Sequence, residues 1–203
     1  SGAIGWCAFD YNTHRDFGSG DKICYHGVMD MFRIPKYASY VYSSQKSPKE
    51  EVILEPATLW ARGERCISGV MPLTVYTNCD YIKFYYGKEL FGTYYPNKEK
   101  FPHLPHAPIV INEAIGFWGS EWEEAHFEGY VEGVKVAEKT FSENVYPEKL
   151  ILESDDYNLN TGSIDGTRLI VKLVDKFNNP LIYSNDIVQI SVEGEGERSE
   201  EHT

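Results

Sequence analysis

The alternation of hydrophobic and polar positions changes character twice along the chain, which divides it into three stretches. Residues 3–9 are a short apolar run without polar alternation. That pattern suits a strand covered on both faces, as in a parallel barrel. His14 to Asp21, with Gly18-Ser19-Gly20 inside it, reads as a loop. Residues 23–32 are mostly apolar again, with Met29 and Met31 as soft fillers. Pro35 then opens a helix predicted over 36–45, since proline is favoured at a helix start. Tyr37, Tyr40 and Val41 give that helix an apolar stripe at helical spacing. Strand, long loop and helix make one βα unit.

The pattern switches at Ser47-Pro48-Lys49-Glu50-Glu51 to short strands separated by turns. Strands are predicted over 52–54, 73–76, 81–86, 109–111, 126–131 and 135–141. Asn78-Cys79-Asp80 and Glu132-Gly133 are turn signals, and residues 96–108 form a proline-rich irregular loop. Six or more short strands in this span read as an immunoglobulin-like β-sandwich over residues 49–145. A second switch falls near Asn144, and further strands are predicted over 150–153, 167–174 and 186–192. Asp165-Gly166 and Asn178-Asn179-Pro180 punctuate them. Residues 146–203 are too few for seven strands, so a partial second sandwich is expected, ending in a charged, disordered tail from Glu193. The expected fold class is therefore mainly β, with a βα unit over residues 1–48 in front of the sandwich domains.

Charge sharpens this division. The net charge is −12, but residues 1–48 carry +1 and residues 49–203 carry −13. Such an acidic surface argues against nucleic acid and anionic membrane partners. Tyrosine is frequent, with 15 copies, which suits both β-structure and sugar-facing surfaces. The four cysteines, Cys7, Cys24, Cys66 and Cys79, show no C-x-x-C spacing, so neither a zinc site nor a disulfide framework is expected. Cys7, inside the apolar run, reads as a small core hydrophobe. No stretch is apolar enough for a membrane span or a signal peptide.

Candidate chemistry concentrates where the first apolar run ends. Trp6, Asp10, Tyr11, Asn12 and His14 straddle that junction, and in a parallel barrel binding residues gather at the C-terminal ends of the strands. A tryptophan ring is a flat apolar platform for a sugar face, while Asp and Asn hydrogen-bond hydroxyls directionally. On spacing alone, a core Trp6 followed by polar residues that merely end a strand is the simpler account of the run. A second group is Cys24-Tyr25-His26-Gly27 with Asp21 and Asp30. There His26 is either a ligand-facing imidazole or a structural histidine. Glu121, Glu123 and Glu124 beside Trp118 and Trp122 read as a solvated loop or as a sugar-binding lip. Glu113, after Ile111-Asn112, reads as a strand-end carboxylate.

Several blocks resemble glycoside hydrolase family 2, the β-galactosidase and β-glucuronidase group. Trp6-Cys7-Ala8-Phe9-Asp10-Tyr11 resembles that family's W-x-G-F-D-Y stretch. His26-Gly27-Val28-Met29-Asp30 through Pro35-Lys36 resembles its G-[IL]-x-D-x-x-x-x-P-[KH] continuation. Residues 73–88, 127–137 and 152–192 are similar to the sandwiches that follow the barrel, in the same order. The resemblance implies that residues 1–48 are the C-terminal end of a TIM (β/α)8 barrel. It also implies a retaining β-glycosidase acting on terminal β-glycosides, most simply β-galactosides.

By that resemblance Trp6 lines the sugar pocket, with Asp10, Tyr11, Asn12, His14 and His26 around it. Retaining glycosidases need two carboxyl groups about 5–5.5 Å apart. The resemblance puts both on earlier barrel strands, so no catalytic residue is expected within the chain. His26 falls where some members carry Asn beside a sodium ion. Imidazole is a poor ligand for so hard a cation, so no metal is expected. No cofactor is implied. The expected partners are a β-glycoside or oligosaccharide and the upstream barrel of the same polypeptide. The chain alone is expected to be inactive and adhesive, because one strand and one helix cannot close a barrel. Tandem sandwiches suggest a periplasmic or secreted location. The rival is a non-catalytic carbohydrate-binding or structural β-sandwich module, against which residues 1–48 speak.

Overall fold

The computed structural model describes residues 4–14, 22–62, 70–116, 119–144, 146–160 and 162–198. The first apolar run does not form the expected strand. Ile4 is 96% exposed and Trp6 73% exposed, and Cys7 is half-buried. A strand covered on both faces needs neighbours at both edges and layers on both sides. Among the described residues, the backbone of residues 7–10 pairs with one neighbouring segment, residues 26–29, with Phe9 and Met29 in a parallel bridge. Beyond them β1 (Tyr11–Asn12) pairs antiparallel with β2 (Ile23–Cys24). The Gly-rich loop read from the sequence lies outside the described residues.

Helix α1 spans Tyr37–Ser43, shorter than predicted, with Lys36 as an extended N-cap and Pro35 just before it. No residue of α1 is fully buried. The helix is fastened to the following domain by polar contacts. The Tyr37 hydroxyl donates to the Thr58 carbonyl at 2.7 Å. The Gln45 amide donates to the His106 carbonyl at 2.9 Å and accepts the His106 backbone N–H at 3.1 Å.

The next strands are β3 (Leu54–Pro56), β4 (Leu73–Thr77), β5 (Tyr81–Tyr86), β6 (Glu89–Tyr94), β7 (Ile109–Ile111), β8 (Ala125–Val131) and β9 (Val134–Phe141). They form two antiparallel sheets, ordered β3-β4-β7 and β6-β5-β8-β9, facing each other as a seven-stranded sandwich of the immunoglobulin-like kind. Alternation explains the core: Leu73, Val75 and Thr77 of β4 point inward, as do Ala125, Phe127 and Gly129 of β8. Trp60, Ile82, Phe84, Ile109, Ile111 and Phe127 are fully buried, each worth roughly 1.5–3 kcal/mol of burial. Phe84 and Phe127 stack at 4.6 Å between ring centroids. Glu132 and Gly133, at φ of 51° and 78°, make the two-residue turn of the β8–β9 hairpin. The ion pair of Glu55 on β3 with Lys139 on β9, at 2.6 Å, ties one sheet to the other.

Strand β6 was not predicted. It is an edge strand with Leu90 and Phe91 exposed and Gly92 interrupting its alternation, so its burial pattern has no clear period of two. The predicted strand over 186–192 is also corrected. The structure gives that segment no strand, and Ile187 is 97% exposed. Alternating Ile and Val supply β-propensity, but a strand needs a hydrogen-bonding partner. Among the described residues β10 (Lys149–Ser154) and β11 (Leu169–Val174) form a two-stranded sheet of their own, to which an isolated bridge adds only Pro180 beside Val174. Asp175 joins this hairpin to the sandwich. Buried, it accepts N–H groups from Ser142, Phe177 and Asn179 at 3.0, 2.9 and 2.8 Å. Lys176 adds ion pairs to Glu124 and Glu143.

Candidate functional site

The bridge between Phe9 and Met29 and the β1–β2 pairing bring together residues far apart in sequence. Tyr11 lies directly opposite Cys24 in the β1–β2 register, and Asn12 opposite Ile23. Trp6 reaches Tyr11 from the preceding turn. Its indole N–H donates to the Tyr11 hydroxyl at 3.2 Å, and the two rings meet edge to face at 6.3 Å. The Cys24 sulfur lies 3.2 Å from His26 Nδ1. The Tyr11 phenol is held above its ordinary pKa, first by its hydrogen bond with Cys24 and against the donation from Trp6. Trp6, Tyr11, Cys24 and His26 thus form one connected set. Trp6, Asn12 and His26 are exposed, Tyr11 is half-buried, and Cys24 is 2% exposed. His14 lies just past β1 and is exposed.

Asp10 belongs to the framework. It is buried, accepts the Gly27 N–H at 2.9 Å and pairs with Lys36 Nζ at 2.6 Å. A side chain at Gly27 would place its Cβ 2.2 Å from the Asp10 nitrogen, so only glycine fits there. Lys36 also stands 5.9 Å from the Tyr25 ring centre. Asp30 is structural too, accepting the N–H groups of Phe32 and Ile34 at 2.8 Å each. Among the described residues the open face therefore offers an indole ring, a phenol, a carboxamide and an imidazole, with the Asp10 carboxylate ion-paired beneath. That set suits an uncharged polyhydroxyl ligand. Sequence reasoning places Cys24 in the group with His26 but does not join it to Tyr11, because its place in the register opposite Tyr11 is not visible without the hairpin. Among the described residues no cluster of His, Cys, Asp or Glu could hold a metal ion, and no helix is long and apolar enough to cross a membrane.

The other candidates resolve into scaffold. Glu113 is exposed in the loop after β7 and sits beside the Tyr94 hydroxyl, whose pKa burial and this carboxylate push up to about 12. Trp122 packs on the buried Trp60 with centroids 4.8 Å apart and is half-buried, with part of its surface on the cleft beside it. Trp118 lies outside the described residues. Glu121, Trp122, Glu123, Glu124 and Glu143 line a surface cleft of ≈450 Å³ with Lys88, and the single charge of Lys176 is shared between Glu124 and Glu143.

No family model matches the chain. A β-galactosidase of Thermoanaerobacterium thermosulfurigenes is 53% identical over 201 residues, which cover 96% of this chain and 28% of that protein. A β-galactosidase of Rhizobium meliloti is 42% identical over 200 residues, covering 96% and 26%. The chain is β-galactosidase-like along nearly its whole length. It spans about a quarter of the length of these curated relatives. Its fold is shared with a β-glycosidase from Bacteroides vulgatus at a TM-score of 0.62, with 20% identity over 85% of this chain and 20% of that one. A β-glucuronidase from glycoside hydrolase family 2 gives 0.54, with 20% identity over 78% and 15% of the two chains. The β-galactosidase matches cover nearly the whole chain, and the structural matches show a shared fold.

Proposed function

We propose that the chain is the C-terminal portion of a retaining β-galactosidase and that residues 4–14 and 22–27 form one wall of its sugar site. The observation that carries this reading is the 53% identity to a β-galactosidase over 96% of the chain. Residues 1–48 would complete a (β/α)8 barrel whose earlier strands supply both catalytic carboxylates. The exposed run at Ile4 and Trp6 would then be covered by those strands. Trp6 offers its ring to the apolar face of the sugar, and Asn12 and His26 hydrogen-bond its hydroxyls. Asp10 acts through Lys36 and Gly27 to hold that wall in place.

The chain by itself would be inactive, since the nucleophile and the acid/base lie upstream. The test compares this chain with the full-length protein on 4-nitrophenyl β-galactoside. The proposal expects turnover by the full-length protein only. Turnover by the chain alone, or none by either, would overturn it. The sandwich offers little support for the rival reading of a binding module. Tyr130 on its outer face is stacked on Tyr81 at 4.8 Å and carries Lys83 at 5.0 Å, so its ring is already occupied.

A further inference from the structure

Cys24 is the one deeply buried member of the Trp6–Tyr11–Cys24–His26 set, and it is the link between the phenol and the imidazole. The Trp6 indole is donor only, so the Tyr11 oxygen accepts from it. The Tyr11 hydroxyl is also hydrogen-bonded to the Cys24 sulfur, and in the proposed relay the hydroxyl is the donor there. The Cys24 S–H in turn has His26 Nδ1 at 3.2 Å as its acceptor. An imidazole that accepts at Nδ1 carries its proton at Nε2. We propose that Cys24 is a positioning residue that fixes His26 as the neutral Nε2–H tautomer, presenting an N–H donor to a sugar hydroxyl. The tautomer claim rests on the hydrogen-bond geometry alone, and the sugar as recipient rests on the glycosidase reading above. A thiol suits this task because it is a weak donor that still fills apolar space when buried. The indole, which can only donate, fixes the first hydrogen bond, and the choice of His26 Nδ1 as the thiol's acceptor is what the spectrum reads.

The test is the two-bond proton–nitrogen spectrum of the full chain labelled with 15N-histidine, with the His26 signals identified by their loss in His26→Gln. Wild type is expected to give the Nε2–H pattern. Cys24→Ala is expected to shift His26 towards a tautomer mixture, and Cys24→Ser to keep the wild-type pattern through its hydroxyl donor. An unchanged Cys24→Ala spectrum, or a wild-type Nδ1–H pattern, would overturn the tautomer claim. A melting curve for each variant separates loss of folding from loss of the relay, and Tyr11→Phe provides a second interruption that leaves Cys24 intact. In the full-length enzyme Cys24→Ala should raise KM for 4-nitrophenyl β-galactoside about three- to tenfold, the loss of one well-placed hydrogen bond, with kcat changed less than twofold. A fall in kcat at unchanged KM would contradict the assignment to sugar binding. An inactive wild-type enzyme with the expected spectra would sink the glycosidase reading and leave the tautomer intact.

Discussion

Replacing Asn78 with alanine removes three hydrogen bonds at the joint between α1 and the sandwich. Asn78 is 1% exposed. Its Oδ1 accepts the Ile53 N–H at 2.8 Å, and its Nδ2 donates to the carbonyls of Glu51 at 2.7 Å and Lys46 at 3.1 Å. Each buried backbone group left without a partner costs ~1–3 kcal/mol. Lys46 and Glu51 have exposed side chains, so water can reach part of the vacated space and the full sum does not apply. The expected loss is about 3 kcal/mol, roughly a hundredfold in the folded-to-unfolded ratio. Asn78→Asp is the informative companion. It keeps the acceptor for Ile53 but turns an oxygen on two carbonyls, so it should be at least as destabilising as alanine. The assay is urea unfolding of the chain, followed by the emission of the buried Trp60. A loss below about 1 kcal/mol for Asn78→Ala, less than one unsatisfied group, would refute the reasoning. So would an aspartate variant as stable as wild type.

Two further outcomes follow from named contacts. Gly27→Ala should break the pairing of residues 7–10 with 26–29, because the new Cβ would stand 2.2 Å from the Asp10 nitrogen. Limited proteolysis should then cut between Ile4 and Lys36 well before the sandwich, and wild-type resistance there would be the contrary result. Burial pushes the Glu128 carboxyl upward, but hydrogen bonds from Tyr130, Lys135 and Tyr85 outweigh it and hold its pKa below the ordinary 4.5. A depressed carboxylate stabilises the fold above its unfolded pKa and loses that contribution as pH falls through the folded value. Melting temperature should therefore drop as pH falls below the ordinary carboxylate value of 4.5, and less so in Glu128→Gln. Equal acid slopes for the two proteins would contradict this.

What the sequence makes legible is set by whether a local pattern or a distant partner decides the structure. The β8–β9 hairpin follows from apolar alternation around Glu132-Gly133, a two-residue turn that needs positive φ at both positions. The segments 81–86 and 109–111 coincide with β5 and β7 for the same reason. Residues 186–192 carry a similar alternation and form no strand, since propensity does not supply a neighbour. At the candidate site, Trp6, Tyr11 and His26 were identifiable as residue types at a strand end. Their connection through Cys24 depends on the Tyr11–Cys24 register. Asp10 was grouped with the sugar contacts, whereas its buried ion pair with Lys36 spans 26 residues and leaves no local trace. Trp122 had the look of an exposed loop aromatic until the indole of Trp60 appeared beneath it.

The central claim is that the wall around Trp6 belongs to the pocket of a β-galactosidase. The most direct measurement is kcat/KM of the full-length protein and its Trp6→Ala variant on 4-nitrophenyl β-galactoside, with melting curves to confirm equal folding. Loss of an aromatic sugar platform worth ~2–3 kcal/mol predicts a fall of roughly 30- to 150-fold. An unchanged kcat/KM in a folded variant would contradict the account.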